Sequence, residues 1–230
     1  FPYTTLFRSY PESRVIYNDF DNYCQRLENI DKTNQLIRDL RVILKNNPKD
    51  SRIQGIARDQ VIERIKKEQN EPFVDYITLS SSIMFSMKYA LSFEQLEKET
   101  LYNCVRQNDY DATGYLDGLE VVSNCYKELF KQYKDLPSVV FLVDPPDLST
   151  DAGTYKSYWK LKDYLDVLQV LDGTKYFYFT SNKSSIIELC EWIETKTPMS
   201  NPFNGATTAT MNATINFNAS YTDIMLYKNE

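Results

Sequence analysis

Histidine is absent from this sequence of 230 residues. Its absence excludes Ser-His and Cys-His nucleophile chemistry. A zinc site is not expected either, because the four cysteines form no CxxC pair, and we predict no metal. We expect Cys24, Cys104, Cys125 and Cys190 to be reduced, mostly buried thiols of an intracellular protein.

Long apolar runs are missing as well. No stretch of about 18 apolar residues occurs that could cross a membrane, and no secretory signal peptide is visible. Glycine is scarce, with six residues and no Gly-rich loop that could cradle a phosphate. Aromatic residues are abundant, with 18 Tyr and 12 Phe in a hydrophobic fraction of 42%. This composition predicts a folded, cytoplasmic protein with one large core, or one core with an inserted lobe.

The net charge of −6 is not typical of a protein that binds nucleic acid. The charge is unevenly distributed, however, because residues 32–67 carry ten Lys and Arg against four Asp and Glu, a local +6. Such a basic face can bind phosphates even on an acidic protein. It can equally be a solvated helix surface, and composition leaves both interpretations open.

Residues 1–9 do not look native, since they match letter for letter the translation of a common short-read sequencing adapter. We expect native sequence to begin near Tyr10, inside a domain whose N-terminus is missing, and we exclude residues 1–9 from the fold argument. A genomic codon run for these residues without adapter sequence would contradict this expectation.

Hydrophobic periodicity and turn signals predict alternating strands and helices. The predicted strands cover residues 14–17, 119–122, 139–143 and 175–180. The predicted helices cover 21–46, 60–68, 72–100 with an interruption at 80–82, 126–134, 161–171 and 184–194, the last capped by Ser181-Asn182. With a closing hairpin at 207–228, this order implies an α/β fold with a mainly parallel sheet and an antiparallel edge. A helical lobe at 48–112 separates the halves 10–47 and 113–230.

Two predicted strands end in a carboxylate. Asp19 follows Val15-Ile16-Tyr17-Asn18, and Asp144 follows the apolar run Val139-Val140-Phe141-Leu142-Val143. Ligands of open α/β sheets bind outside the carboxyl ends of the strands, so we predict the functional site at these two acids. Taken alone, Asp19 is equally well explained as a helix N-cap.

Asp144 opens the sequence Asp144-Pro145-Pro146-Asp147, in which two prolines fix φ and hold a rigid polar loop. This arrangement suits methylation of an exocyclic amine, whose lone pair is delocalised into its ring. The carboxylate and the adjacent Pro145 carbonyl can accept both N–H groups and so return electron density to the nitrogen.

These residues resemble the DNA adenine-N6 methylases, from about Arg14 to Lys228. Asp144-Pro145-Pro146 matches the catalytic motif of that family. Residues 15–19 are similar to its second cofactor strand, where an acid binds the ribose or purine end of S-adenosylmethionine. Residues 177–182 look like the later strand that helps form the target-base pocket. The family's Gly-rich methionine-binding loop would precede Arg14, so the resemblance implies an N-terminally truncated chain that lacks its first strand.

The resemblance implies a Rossmann-like methyltransferase sheet with an inserted target-recognition lobe, S-adenosylmethionine as the cofactor, and double-stranded DNA with a flipped adenine as the partner. The cofactor-binding residues would be Asn18, Asp19, Phe20 and Asp144, and the catalytic set Asp144, Pro145, Pro146 and Asp147. The candidate DNA contacts are Arg52, Arg58, Tyr155, Lys156 and Tyr158. Tyr155, Tyr158 and Trp159 can equally be ordinary loop packing.

Asp147 departs from the family, which has Tyr or Phe at this place. The aromatic face would stack on a flipped base, an interaction worth roughly 1–3 kcal/mol. Asp147 also brings a second carboxylate near Asp144, and a proton settling on Asp144 would remove its acceptor role. We therefore predict a poor or inactive methylase, unless Asp147 is a read error, since Tyr and Asp codons differ by one base. Cys125-Tyr126 is a second departure, because relatives often have an acid before the aromatic residue.

Three functions stay open. The first is an adenine-N6 methylase of bacterial or phage type, for example in a restriction-modification system. The second is a non-catalytic DNA-binding homologue in which Asp147 is native. The third is an amino-group methyltransferase that acts on protein glutamine or on RNA. Asp144, rather than Asn, and the basic helical lobe favour DNA.

Overall fold

The structure is a computed structural model that describes residues 12–20, 22–85, 88–148, 159–216 and 219–229. It forms two compact units, which we call the sheet unit (Phe1–Asp21 with Glu120–Glu230) and the helical unit (Asn22–Leu119). The expectations for residues 1–9 and for a missing first strand fall outside the described residues.

Six strands lie in the described part of the chain and form two sheets. Their bounds are β1 Val15–Asn18, β2 Leu119–Val122, β3 Val140–Val143, β4 Lys175–Ser181, β5 Thr207–Asn216 and β6 Ala219–Lys228. β1 pairs with β2, and the second sheet has the order β3-β4-β6-β5. β3 and β4 are parallel, while β6 runs antiparallel to β4 and to β5. The mixed α/β fold has parallel strands and the antiparallel closing hairpin that the sequence predicts.

β1 and β2 are also parallel. Arg14, just before β1, pairs with Glu120 in β2, and Asn18, at the end of β1, pairs with Asn124, just after β2. Both contacts span 106 residues of sequence. A constant offset at both ends means that the two strands run in the same direction. Their carboxyl ends therefore meet at one edge, beside Asp19.

Eight helices are described. The helical unit contains α1 Tyr23–Glu28, α2 Ile30–Ile43, α3 Gly55–Lys66, α4 Tyr76–Ile83 and α5 Phe93–Leu96. The sheet unit contains α6 Tyr126–Tyr133, α7 Leu161–Leu171 and α8 Ile186–Lys196.

The helical unit has its own core, because α2 packs against both α3 and α4. Leu36, Ile37 and Leu40 are buried on one face of α2, at the spacing of an amphipathic helix. They meet Val61 and Ile65 of α3 in a single apolar cluster. This packing makes the helical unit wider than the predicted lobe at 48–112, since α1 and α2 belong to it.

The sheet unit has a second core, built on alternate residues of β4. Tyr176 and Tyr178 are both buried, and the Tyr176 hydroxyl donates to the Pro202 carbonyl at 2.8 Å. Leu168 of α7 and Ile186 of α8 belong to the same cluster. The core thus holds β4 rigidly. The carboxyl end of β4 can therefore carry polar groups.

Two helix predictions are wrong. The serine run at 80–82 lies inside α4, where the Ser82 hydroxyl donates to the Thr78 carbonyl and so satisfies its polar group within the helix. α8 is not capped by Ser181-Asn182. Its N-cap is Ser185, and Asn182 pairs with the backbone of β6 instead.

The cysteine prediction is wrong in part. All four thiols are free, as expected, but Cys190 alone among them is buried. Burial raises the pKa of Cys190 to about 12, so this thiol is inert. Cys24 and Cys104 are half-buried, and Cys125, the N-cap residue of α6, is exposed.

Candidate active site at the carboxyl ends of the strands

Residues 144–147, which we call the Asp-Pro-Pro loop, leave the carboxyl end of β3. Val143 is in register with Tyr178 on the parallel strand β4, and β4 continues to Ser181. The loop therefore runs beside the last residues of β4. This edge of the sheet is where open α/β folds bind their ligands.

Asp144 is exposed, whereas Pro145 is buried and Pro146 half-buried. A proline ring has a fixed φ, so a buried one anchors the backbone directly behind the carboxylate. Asp144 is therefore an acidic residue at the surface whose backbone is held in place. Such a group can accept hydrogen bonds from a polar ligand with little loss of entropy.

Asp147 turns its carboxylate towards β4. Oδ1 accepts from the Thr180 hydroxyl at 3.2 Å, and Oδ2 accepts from the Ser181 hydroxyl at 2.5 Å. The next amide, that of Leu148, donates to the Ser184 hydroxyl oxygen at 3.1 Å. Thr180 and Ser181 were not predicted as partners of the loop. The available signal was a pair of adjacent hydroxyls at the carboxyl end of a strand.

Tyr178 lies among the buried side chains of β4. Burial raises the pKa of its phenol, and nearby negative charges, those of Asp147 and Asp144 among them, act in the same direction. The phenol therefore stays neutral.

The end of β1 carries the second predicted acid. Asp19 is only 6% exposed, and its amide donates to the Val122 carbonyl of β2 at 2.7 Å. The next residue, Phe20, is 46% exposed. The N-cap of α1 is Asn22, so the alternative interpretation of Asp19 as a helix N-cap is wrong.

The Asn18 side chain is hydrogen-bonded to the backbone of Asn124. Its Nδ2 donates to the Asn124 carbonyl at 2.9 Å, and its Oδ1 accepts from the Asn124 amide at 2.9 Å. These two hydrogen bonds join the end of β1 to the end of β2. The Asn18 side chain therefore supports the site from behind.

Two predicted DNA contacts lie in one cavity of the helical unit. Arg52 and Arg58 line a cavity of about 330 Å³ together with Lys98 and Glu99. Arg58 donates to the Glu97 carbonyl at 2.5 Å, which fixes its guanidinium near the start of α3. The cavity thus has three cations and one acid on its walls.

Much of the other basic charge in residues 32–67 is used inside the helical unit. These side chains form ion pairs with acids on neighbouring segments. The pairs join Arg38 and Arg41 to Asp109, Arg64 to Asp39 and Glu68, and Lys32 to Glu71. The local charge of +6 therefore overstates the number of cations that could meet a phosphate.

Trp159 packs against the start of α6. Its ring stacks on Tyr126 with centroids 5.1 Å apart and meets Tyr164 edge-on at 5.2 Å. The Tyr126 hydroxyl donates to Asp163 at 2.9 Å, and burial together with this bond raises the pKa of Tyr126 to about 12. Trp159 is thus a packing residue. The remaining candidates in this loop, Tyr155, Lys156 and Tyr158, lie outside the described residues.

Within the described ranges, no group of three His, Cys, Asp or Glu side chains is placed to hold a metal ion. No helix in these ranges is long and apolar enough to cross a membrane.

A mixed α/β fold with an acid and two prolines at the carboxyl end of a parallel strand is compatible with the Rossmann-like methyltransferases. No protein-family model matches the chain. A protein of Haemophilus influenzae (strain Rd), named "Putative methyltransferase", is 35% identical over 227 residues, which cover 95% of this chain and 74% of that protein. The chain therefore belongs to the methyltransferase family of this relative.

Proposed function

We propose that the protein transfers a methyl group from S-adenosylmethionine to the N6 amine of adenine in DNA. One observation carries the proposal: an exposed acid, Asp144, is followed by two prolines, the first of them buried, at the carboxyl end of β3. Membership of the methyltransferase family supports the reaction class. The choice of adenine rests on the Asp-Pro-Pro motif.

The chemistry follows from the position of Asp144. Its carboxylate and the Pro145 carbonyl accept the two N–H groups of the exocyclic amine, which makes the nitrogen more nucleophilic. The positive charge that develops on this nitrogen is stabilised by the fixed carboxylate. The proton that the nitrogen loses can leave along the hydrogen bond to Asp144.

The residues at the end of β1 suit the nucleoside part of S-adenosylmethionine, which supplies an activated methyl group when it is bound. The Asp19 carboxylate is a suitable acceptor for ribose hydroxyls, and the exposed Phe20 ring is a suitable surface for the purine. Asn18 contributes indirectly, because its side chain is bonded to Asn124.

The helical unit is proposed to contact the DNA backbone. Arg52, Arg58 and Lys98 surround one cavity, and an exposed group of cations can bind a phosphate. We propose the same for Lys156, and base or backbone contacts for Tyr155 and Tyr158. With these partners, the protein would act in the cytoplasm of a bacterium or a phage-infected cell.

The test is a transfer assay on the full chain with labelled S-adenosylmethionine. DNA from a strain without adenine methylation, total RNA and unmethylated protein are offered as separate acceptors, and the products are digested and identified by mass spectrometry. We expect N6-methyladenine from DNA. Label in protein glutamine or RNA would instead support an amino-group methyltransferase that acts on protein glutamine or on RNA. Binding of DNA without any transfer would support the non-catalytic homologue.

A further inference from the structure

Asp147 occupies the place where an aromatic residue is expected, yet its carboxylate is fully engaged in the fold's own contacts at the end of β4. The side chain is half-buried, and its two oxygens accept from two different hydroxyls, those of Thr180 and Ser181. Hydrogen bonds to a carboxylate are roughly twice as strong as those between neutral groups. The Asp-Pro-Pro loop is therefore fastened to β4 by a pair of strong bonds.

The donor side of this fastening, on β4, is itself rigid. Ser181 is 4% exposed, and its hydroxyl oxygen also accepts from the Lys183 amide at 3.2 Å. One residue past Asp147, the Leu148 amide donates to Ser184. The loop is thus bonded to the 180–184 segment at two successive residues.

We propose that Asp147 is a positioning residue that holds Asp144 in its reactive orientation; this inference rests on the proposed function. Only Pro145 and Pro146 separate the two acids. Because each proline fixes its φ, anchoring Asp147 at one end and the buried Val143 at the other leaves Asp144 few orientations. The carboxylate of Asp147 is in this way part of the loop's geometry.

This role differs from that of a stacking aromatic. A tyrosine at position 147 would carry a single oxygen at the far end of a rigid ring, in place of the two carboxylate oxygens that accept separately from Thr180 and Ser181. Asp147→Tyr would therefore lose the fastening, whatever stacking it gained. We therefore expect the native chain to be more active than Asp147→Tyr, which reverses the effect expected from the sequence alone.

The experiment compares the native full chain with Asp147→Ala, Asp147→Tyr, Ser181→Ala and the double variant Asp147→Ala/Ser181→Ala. We expect kcat to fall by about 10- to 100-fold in Asp147→Ala and Ser181→Ala, with KM for S-adenosylmethionine nearly unchanged. The double variant should be no worse than Asp147→Ala, because both changes remove the same bond. Hydrogen exchange of peptides covering 144–148 should become about tenfold faster in each variant.

The matched control is Asp172→Asn. Asp172 also accepts from a serine hydroxyl, that of Ser200, in the same unit but just before β4 begins. The Asp172→Asn variant should change neither kcat nor the hydrogen exchange of peptides covering 144–148.

Three results would overturn the positioning role. They are an Asp147→Tyr variant with a higher kcat than the native chain, additive effects in the double variant, and unchanged exchange at 144–148. If the native chain methylates no acceptor, the proposed function fails, and exchange alone decides: faster exchange in Asp147→Ala and Ser181→Ala supports the fastening, and unchanged exchange overturns it.

Discussion

The two units are stabilised by different kinds of contact. In the helical unit, acids are bound by arginines: Asp75 is almost buried and meets Arg26, and Asp109 meets both Arg38 and Arg41. In the sheet unit, aromatic contacts are prominent beside ion pairs such as those of Lys127 with Asp163 and Asp166. The aromatic contacts join Tyr126 to Trp159, Phe130 to Phe141, Tyr176 to Phe203 and Tyr178 to Phe203.

This difference decides what the charged residues can do. An acid that is paired with arginine inside a helical core contributes to folding and is not available to a ligand. In the sheet unit, by contrast, Asp144 is exposed at the end of a strand. Asp75 is therefore expected to matter for folding, and Asp144 for catalysis.

The sharpest test of this contrast is Asp144→Ala. We expect methyl transfer to fall by about 1,000-fold (about 4 kcal/mol), since a fixed group that stabilises charge in the transition state is lost. The free energy of unfolding should change by less than about 0.5 kcal/mol, because the residue is exposed. Steady-state kinetics and urea unfolding measure the two effects. Asp135→Ala, at another exposed acid of the sheet unit, should leave both unchanged.

In the helical unit we expect the opposite from Asp75→Ala. The Asp75 side chain is 5% exposed, accepts from Arg26 and caps α4 through the Thr78 amide. Removing it leaves a partly buried guanidinium without its partner, so the helical unit should lose about 3 kcal/mol. Urea unfolding measures this loss. A change below about 0.5 kcal/mol would mean that ion pairs do not stabilise this unit.

The sequence predicts local features of both units well, because these depend on neighbouring residues. α7 begins and ends at the predicted residues, and so does β2. The contact between Asp147 and Ser181 was not predicted, because it depends on the register of β3 with β4 across 34 residues. The arginine pairs were missed for the same reason. A count of basic residues cannot show which acids lie opposite them.

A smaller effect on stability is expected when the pH is lowered. Hydrogen bonds from Arg38 and Arg41 hold the pKa of Asp109 below its ordinary value of 3.8. A carboxyl with a lowered folded pKa gives stability that is present above its unfolded pKa and is lost as pH falls through the folded value. Below about pH 4, the urea midpoint of the native helical unit should therefore fall more steeply than that of Asp109→Asn. If the urea midpoints of the two proteins changed in parallel from pH 7 to pH 3, this ion pair would not contribute to stability.

The smallest effect separates cations that line the cavity from cations that are paired with an acid. Arg52→Ala and Arg58→Ala remove cavity-lining cations, and each should reduce the slope of log Kd against log salt for duplex DNA by about one. Arg38→Ala is the matched control, because its guanidinium is bonded to Asp109 and should not meet phosphate. Binding titrations between low and physiological salt measure the slopes. An equal loss from Arg38 and Arg52 would mean that pairing inside the helical unit does not withdraw a cation from DNA, and would erase the contrast between the two units.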